Sequence, residues 1–327
     1  MLSYKSTPFR VLLLLACALV VVVFKSSGRG RHAQNKPERT SSREPAQAAG
    51  GGDVVRLSAP AKPAPGADFS GGNWAAFDVA SQSNIQLQAS LEWNFGGKLQ
   101  RGWSLYTPLI SQMIGAGANA ATSEFAMRLS LWQKENQLEP TGVLNSETWS
   151  QIIARFQSRR IRARLYPKPD QLVTIPESDC YDPTRAEELR SVERETFAAY
   201  KRMVAAAAAE SSLRLQVGGD GQLASNEKLL KIISAFRSRE YQDRLRQQSP
   251  NSGRAGLAIN SPHFTGRALD LYVGGDPVST KDANRALQTQ GPVYRWLVKN
   301  AARFGFQPYF YEPWHWEYVA VRPHPAK

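Results

Sequence analysis

Cysteine and histidine are the scarce residues of this chain. Two cysteines in 327 residues, Cys17 and Cys180, exclude a disulfide-built scaffold and a Cys-rich zinc finger. Four histidines, His32, His263, His315 and His324, restrict any histidine-based metal site to very few positions. Long apolar runs are missing too. The longest, Val11 to Phe24, has 14 residues, short of the roughly 20 that a spanning helix prefers. Acids are outnumbered: 28 Asp and Glu face 41 Lys and Arg, a net charge of +13. Seven of those thirteen charges lie in residues 1–66, so the remainder is only mildly basic and lacks the footprint of a nucleic-acid binder. What is present supports packed cores: 42% apolar against 21% charged residues excludes disorder throughout.

The apolar run suits the hydrophobic part of a secretion signal, and the stems of Arg10 and Lys25 can extend it to a thin span. No A-x-A triplet follows it closely, so residues 1–24 read as an uncleaved signal anchor in the membrane. The positive-inside rule, applied to Lys25, Arg29, Arg31, Lys36 and Arg39, would keep the following chain in the cytoplasm. The chemistry further along sets the opposite expectation, a catalytic part outside the cytoplasmic membrane. Residues 25–84 read as a disordered tether, with its bias strongest up to about 72: Gly50-Gly51-Gly52 and the Ala-Pro run 59–65 bury too little to offset ordering entropy.

Residues 85–160 carry three helical patterns. Leu105, Leu109, Ile110 and Met113 form one, Phe125, Leu129 and Trp132 a second, and Trp149, Ile152, Ile153 and Phe156 a third. Asn145 or Ser146 can cap the last helix. A bundle of roughly 60 residues is near the lower limit for a self-standing core.

The part from 178 to 322 mixes helices and strands. A long helix is expected from Thr184 to Glu210, a strand at Ala268–Val273, a helix opened by Pro292, and strands from Tyr309 to Val321. Helices on one side of a small antiparallel sheet, an α+β class, is the natural architecture. Its chemistry sits in two stretches, Ser261–Asp270 and Glu312–Glu317. His263 and His315 each lie close to acids. Two imidazoles and one carboxylate, here Asp270 seven residues after His263, make a three-ligand zinc site with one position left for water. If the turn at Pro313 folds back, Glu312 reaches that water as a general base without ligating. Trp314 and Trp316 pack the core or wall the cleft, and Glu317 is expected as an exposed, salt-bridging acid, with support of His315 the alternative. Cys180 is expected as a half-buried reduced thiol.

Two resemblances follow from these residues. Phe125-Ala-Met-Arg-Leu129-Ser-Leu-Trp132-Gln133, Asn136-Gln137-Leu138, Thr141-Gly142-Val143-Leu144 and Thr148-Trp149 resemble the peptidoglycan-binding domain type 1 family over residues 100–157. That implies a three-helix module holding an enzyme against wall polymer. Ser261-x-His263-x-x-Gly266-x-Ala268-x-Asp270 followed by Glu312-Pro-Trp-His315 resembles the M15 family of zinc peptidases, which includes D-alanyl-D-alanine carboxypeptidases of the VanY type. Ser234-Ala-Phe-Arg237-Ser238 with Gln242 is similar to a further segment of that family. The resemblance implies His263, Asp270 and His315 as Zn²⁺ ligands, Glu312 as the base toward the attacking water, and Arg237 as the oxyanion stabiliser. It also implies Gln242 and Ser261 on the substrate side, Ser261 being equally readable as a turn hydroxyl. Expected partners are peptidoglycan and, through residues 1–24, a membrane. The expected activity is removal of the terminal D-Ala of stem peptides, with endopeptidase cleavage or an inactive wall-binding scaffold as alternatives.

Overall fold

The computed structural model describes residues 74–249 and 257–319. The expected signal anchor, the first part of the expected tether and the end of the expected C-terminal strand lie outside them. Among the described residues, no helix is long and apolar enough to cross a membrane.

The first described element falls inside the segment read as tether. Helix α1, Trp74–Ser90, packs along α3, Ser123–Glu135. Its apolar residues follow no helical stripe, which is why the pattern was silent. Polar contacts fix it instead: the buried Asn84 amide donates to Gly142 O at 2.9 Å and accepts from Leu144 N at 2.8 Å. A hairpin follows, β1 (Glu92–Phe95) and β2 (Lys98–Arg101), closed by Gly96 and Gly97, both at positive φ. Helices α2 (Thr107–Ile114), α3 and α4 (Ser146–Ser158) carry the three expected patterns. Asn145 caps α4, its side chain accepting from Thr148 N at 2.9 Å.

The expected helix from Thr184 is shorter than its apolar pattern suggests. Helix α5 spans Arg194–Ala208. Upstream, β4 (Ser191–Glu193) pairs antiparallel with β3 (Leu172–Thr174) and buries Val192 against Val173. The Glu193 carboxylate accepts from Thr196 N at 2.8 Å and starts the helix there. The main sheet has order β5-β6-β8-β7, antiparallel throughout: β5 Ile232–Ser234, β6 Ala268–Leu271, β7 Phe306–Pro308 and β8 His315–Tyr318. Helix α6 is Arg239–Gln248, α7 Asp282–Gln290 and α8 Pro292–Asn300. The expected strand from Tyr309 is interrupted: residues 309–314 form a turn, with Glu312 N donating to Tyr309 O and His315 N to Glu312 O.

The small helical part does not rely on a core of its own. Trp93, Tyr106, Trp149 and Phe156 surround Phe310, a residue of the β7–β8 turn. Tyr106 lies 5.5 Å and Phe156 6.1 Å from it, ring to ring. One hydrophobic core therefore runs from α2–α4 into the sheet, which answers the marginal size of a 60-residue bundle. The turn that the aromatics clasp is the turn that carries Glu312.

Candidate metal centre and its cleft

Two central strands and one short helix bring the donors together. In the β6–β8 ladder Asp270 is the direct partner of His315. His263 sits in the 3-10 turn Pro262–Thr265, begun by the Ser261 hydroxyl, which accepts from His263 N, and ended by Gly266 at φ 67°. A Cβ on Gly266 would stand 3.0 Å from Glu193 N, so this reversal needs glycine. His263 Nδ1 is 2.6 Å from Ala235 O. A carbonyl only accepts, so Nδ1 carries the proton and Nε2 presents its lone pair. That Nε2 lies 3.3 Å from Asp270 Oδ1, and His315 Nδ1 lies 2.9 Å from the same oxygen. The donor atoms of His263, Asp270 and His315 all fall within 4.8 Å of one another, and all three residues are buried. A tetrahedral ion with bonds of about 2.0–2.1 Å spaces its ligand atoms about 3.3–3.4 Å apart. The cluster matches Zn²⁺ in donor type, and the two distances to Asp270 lie within about half an ångström of that spacing.

The electrostatics separate the two imidazoles. Burial, with Arg237 nearby, pushes His263 down to about 4, so it stays neutral. Burial would lower His315 as well, but hydrogen bonds to Asp270 and Glu317 outweigh it and raise His315 to about 9. Asp270 stays well below the carboxylate range despite its burial, held by His263 and by the ion pair with Arg237. Glu312 is pushed up to about 8 by burial. A carboxyl poised near neutrality suits a base that must both take and return a proton. Arg237 is itself aligned by Ser234 Oγ, which accepts from Nε at 2.9 Å, and by Gln242 Oε1 at 3.4 Å from Nη1.

The structure gathers Arg237, Ser261, His263, Asp270, Glu312 and His315 around one cleft of about 360 Å³. Gln242 is not on its wall. This side chain is buried, with its amide donating to Ala258 O at 3.0 Å and its oxygen facing Arg237, so it serves the arginine rather than a substrate. Ser261 does double duty as helix cap and cleft wall. Trp316 is core, and Trp314, though buried, reaches the cleft. Glu317 is fully buried rather than exposed, its carboxylate 3.3 Å from His315 Nε2 and ion-paired with Arg160 at 2.5 Å. Arg160 also stacks 3.8 Å over the Tyr309 ring and lines the cleft. Sequence reasoning passed over it, because an arginine following a helix carries no signal of a partner 157 positions away. Cys180 is free and buried, and burial raises its thiol, which makes it inert.

No curated protein matches the chain. Residues 189–321 match the family model VanY: D-alanyl-D-alanine carboxypeptidase. The match contains the three donors, Glu312 and Arg237, and it ends upstream short of α4 and Arg160. It bears out the M15 resemblance and the α+β class expected for that part. With donor spacing and family match agreeing on one segment, residues 189–321 are similar to the VanY D-alanyl-D-alanine carboxypeptidase family.

Proposed function

We propose that this protein is a zinc-dependent D-alanyl-D-alanine carboxypeptidase that removes the terminal D-Ala from peptidoglycan stem peptides. One observation carries the reading: Glu312 and Arg237 border the same cleft as the His263, Asp270 and His315 donors. When bound by those donors, Zn²⁺ supplies a Lewis acid for the scissile carbonyl and acidifies water. Glu312 takes a proton from the attacking water at its carboxylate. As the C–N bond breaks, it passes that proton to the nitrogen of the departing D-Ala, which leaves as the free amine. Arg237 holds a permanent charge and fixed donors beside the donor cluster, which favours negative charge developing on the carbonyl oxygen. Burial of Glu312 keeps its proton affinity matched to both transfers.

The rest of the chain takes a supporting part in the same proposal. Residues 1–24 anchor it, the tether extends from the membrane, and residues 85–160 hold it to wall polymer, which places the catalytic part in the envelope outside the cytoplasmic membrane. Mass spectrometry of pentapeptide muropeptides incubated with the Zn²⁺-loaded protein tests the activity, with Glu312→Gln as control. Loss of one alanine from the stem, absent in the control, is the expected result. Fragments from an internal or cross-link cut would replace the carboxypeptidase reading by an endopeptidase, and unchanged muropeptides with Zn²⁺ stoichiometrically bound would refute both.

A further inference from the structure

The side of His315 that faces away from the donor cluster is built as carefully as the side that faces it. Its Nε2 lies 3.3 Å from Glu317 Oε1. Glu317 is wholly buried, yet every oxygen has a donor. Arg160 Nε and Nη2 approach Oε1 at 2.7 and 2.5 Å, and the backbone N of Ile161 donates to Oε2 at 2.7 Å. The guanidinium is itself held over the Tyr309 ring, its Cζ 3.8 Å from the centroid. A carboxylate paired with a guanidinium only accepts hydrogen bonds. Whatever donates to it from His315 must be Nε2–H, which leaves Nδ1, the atom 2.9 Å from Asp270 Oδ1, as the nitrogen that gives up its proton when a metal binds. Arg160 and Ile161 follow directly on α4, upstream of the segment 189–321 that matches the VanY family.

We infer that the helical part of the chain completes the metal centre: Arg160 holds Glu317, and Glu317 fixes the His315 tautomer that presents Nδ1 to the metal. Arg160 and Glu317 are positioning residues. Neither ligates, and a peptidase segment cut at the family boundary lacks half of the arrangement. The inference rests on the metal reading above. Partners of this kind characteristically shift metal affinity ten- to a hundredfold. Wild-type Glu317 meets four N–H donors at once, which neither a glutamine at 317 nor a lysine at 160 can reproduce.

The test uses the full chain and two readouts, the Zn²⁺ dissociation constant by competition with a chromogenic chelator, and the imidazole ¹⁵N–¹H spectrum of His315. Glu317→Gln is expected to weaken Zn²⁺ binding about ten- to a hundredfold. Arg160→Met should weaken it by about fivefold or more, and Arg160→Lys by less. The double variant should bind no more than about twofold worse than Glu317→Gln alone, because Arg160 acts through Glu317. The wild-type spectrum should show a protected Nε2–H with and without metal, and Arg160→Met should abolish that protection. Circular dichroism establishes that each variant is folded; Arg160→Lys keeps the charge, so it reads the lost fork if the methionine variant does not fold. Zn²⁺ affinities within twofold of wild type in the folded variants overturn the inference, as does an additive double variant or a His315 protonated on Nδ1 in the loaded protein. A wild-type chain that takes up no Zn²⁺ refutes the metal reading instead. The spectrum of the metal-free chain then decides this one, an unprotonated Nε2 overturning it and a protected Nε2–H sustaining it.

Discussion

Replacing Glu312 by Gln should sharply lower turnover and, in the metal-free protein, raise stability. Burial moves this carboxyl from 4.5 to about 8. Between those values the folded chain keeps a proton that the unfolded chain has released, so the native state loses stability as pH rises through the window. Each unit is worth about 1.4 kcal/mol, which accumulates to as much as about 4–5 kcal/mol by pH 8. Gln has the same shape and no charge to bury. The stability difference between Glu312→Gln and wild type should therefore be near zero at about pH 4.5, climb by about 1.4 kcal/mol per unit, and level off above about pH 8. Urea unfolding of chelator-treated protein at several pH values measures it. A difference that is flat with pH, or a wild type that is the more stable protein at pH 8, would refute the argument that burial sets this pKa. Metal loading should shrink the difference, because a cation nearby supports the ionised carboxylate. The loaded variant should retain stoichiometric Zn²⁺ while its rate falls by about 10²–10⁴; a variant turning over at the wild-type rate would remove Glu312 from the role of base.

Zn²⁺ binding at pH 7 should release protons, since His315 and Glu312 both hold one in the metal-free chain; titration calorimetry in buffers of different ionisation enthalpy counts them, and a release of zero would contradict the assigned protonation. For His315 the sign is that of a raised pKa: its contribution to metal-free stability is full below about pH 6.5 and is lost as pH rises through about 9. Arg237→Ala should lower kcat by about 10²–10³, and a loss under fivefold would deny it the oxyanion role. Phe310→Ala empties the centre of the shared aromatic cluster and should cost about 3–5 kcal/mol in denaturant unfolding; a cost under about 1 kcal/mol would mean that the helical part does not lean on the β7–β8 turn. Gly266→Ala forces a left-handed residue with a Cβ against Glu193 N, so a loss of about 1–3 kcal/mol is expected, together with weaker Zn²⁺ uptake.

The donors were legible because their chemistry is local in sequence. His263 and Asp270 flank one glycine turn, and Glu312 and His315 flank another turn, so residue type and spacing sufficed. What escaped was whatever depends on partners far along the chain. Glu317 looked like a surface acid because nothing near it in sequence announces Arg160. Helix α1 escaped because Asn84 and the Gly142 turn hold it through hydrogen bonds rather than an apolar stripe. The start of α5 was misplaced because apolar residues continue upstream of it, and only the pairing of Val192 with Val173 turns that stretch into a strand. Gln242 was assigned to the substrate from its position in a motif; its burial shows that it braces Arg237 instead. The β1–β2 hairpin is signalled in sequence by Gly96-Gly97 alone, because Lys98–Arg101 carries a single apolar residue and shows no alternation.

The pairing of Asp270 with His315 across a single rung has a consequence for how the chain is made. Moving β8 by one residue would set Trp316 opposite Asp270 and turn the imidazole to the other face of the sheet. A mispaired sheet has no donor triad to offer. On the proposed metal reading, metal uptake would act as proofreading of the fold, withdrawing only correctly registered molecules from the refolding pool. Bound Zn²⁺ per chain then becomes a direct gauge of refolding yield, readable before any substrate is added.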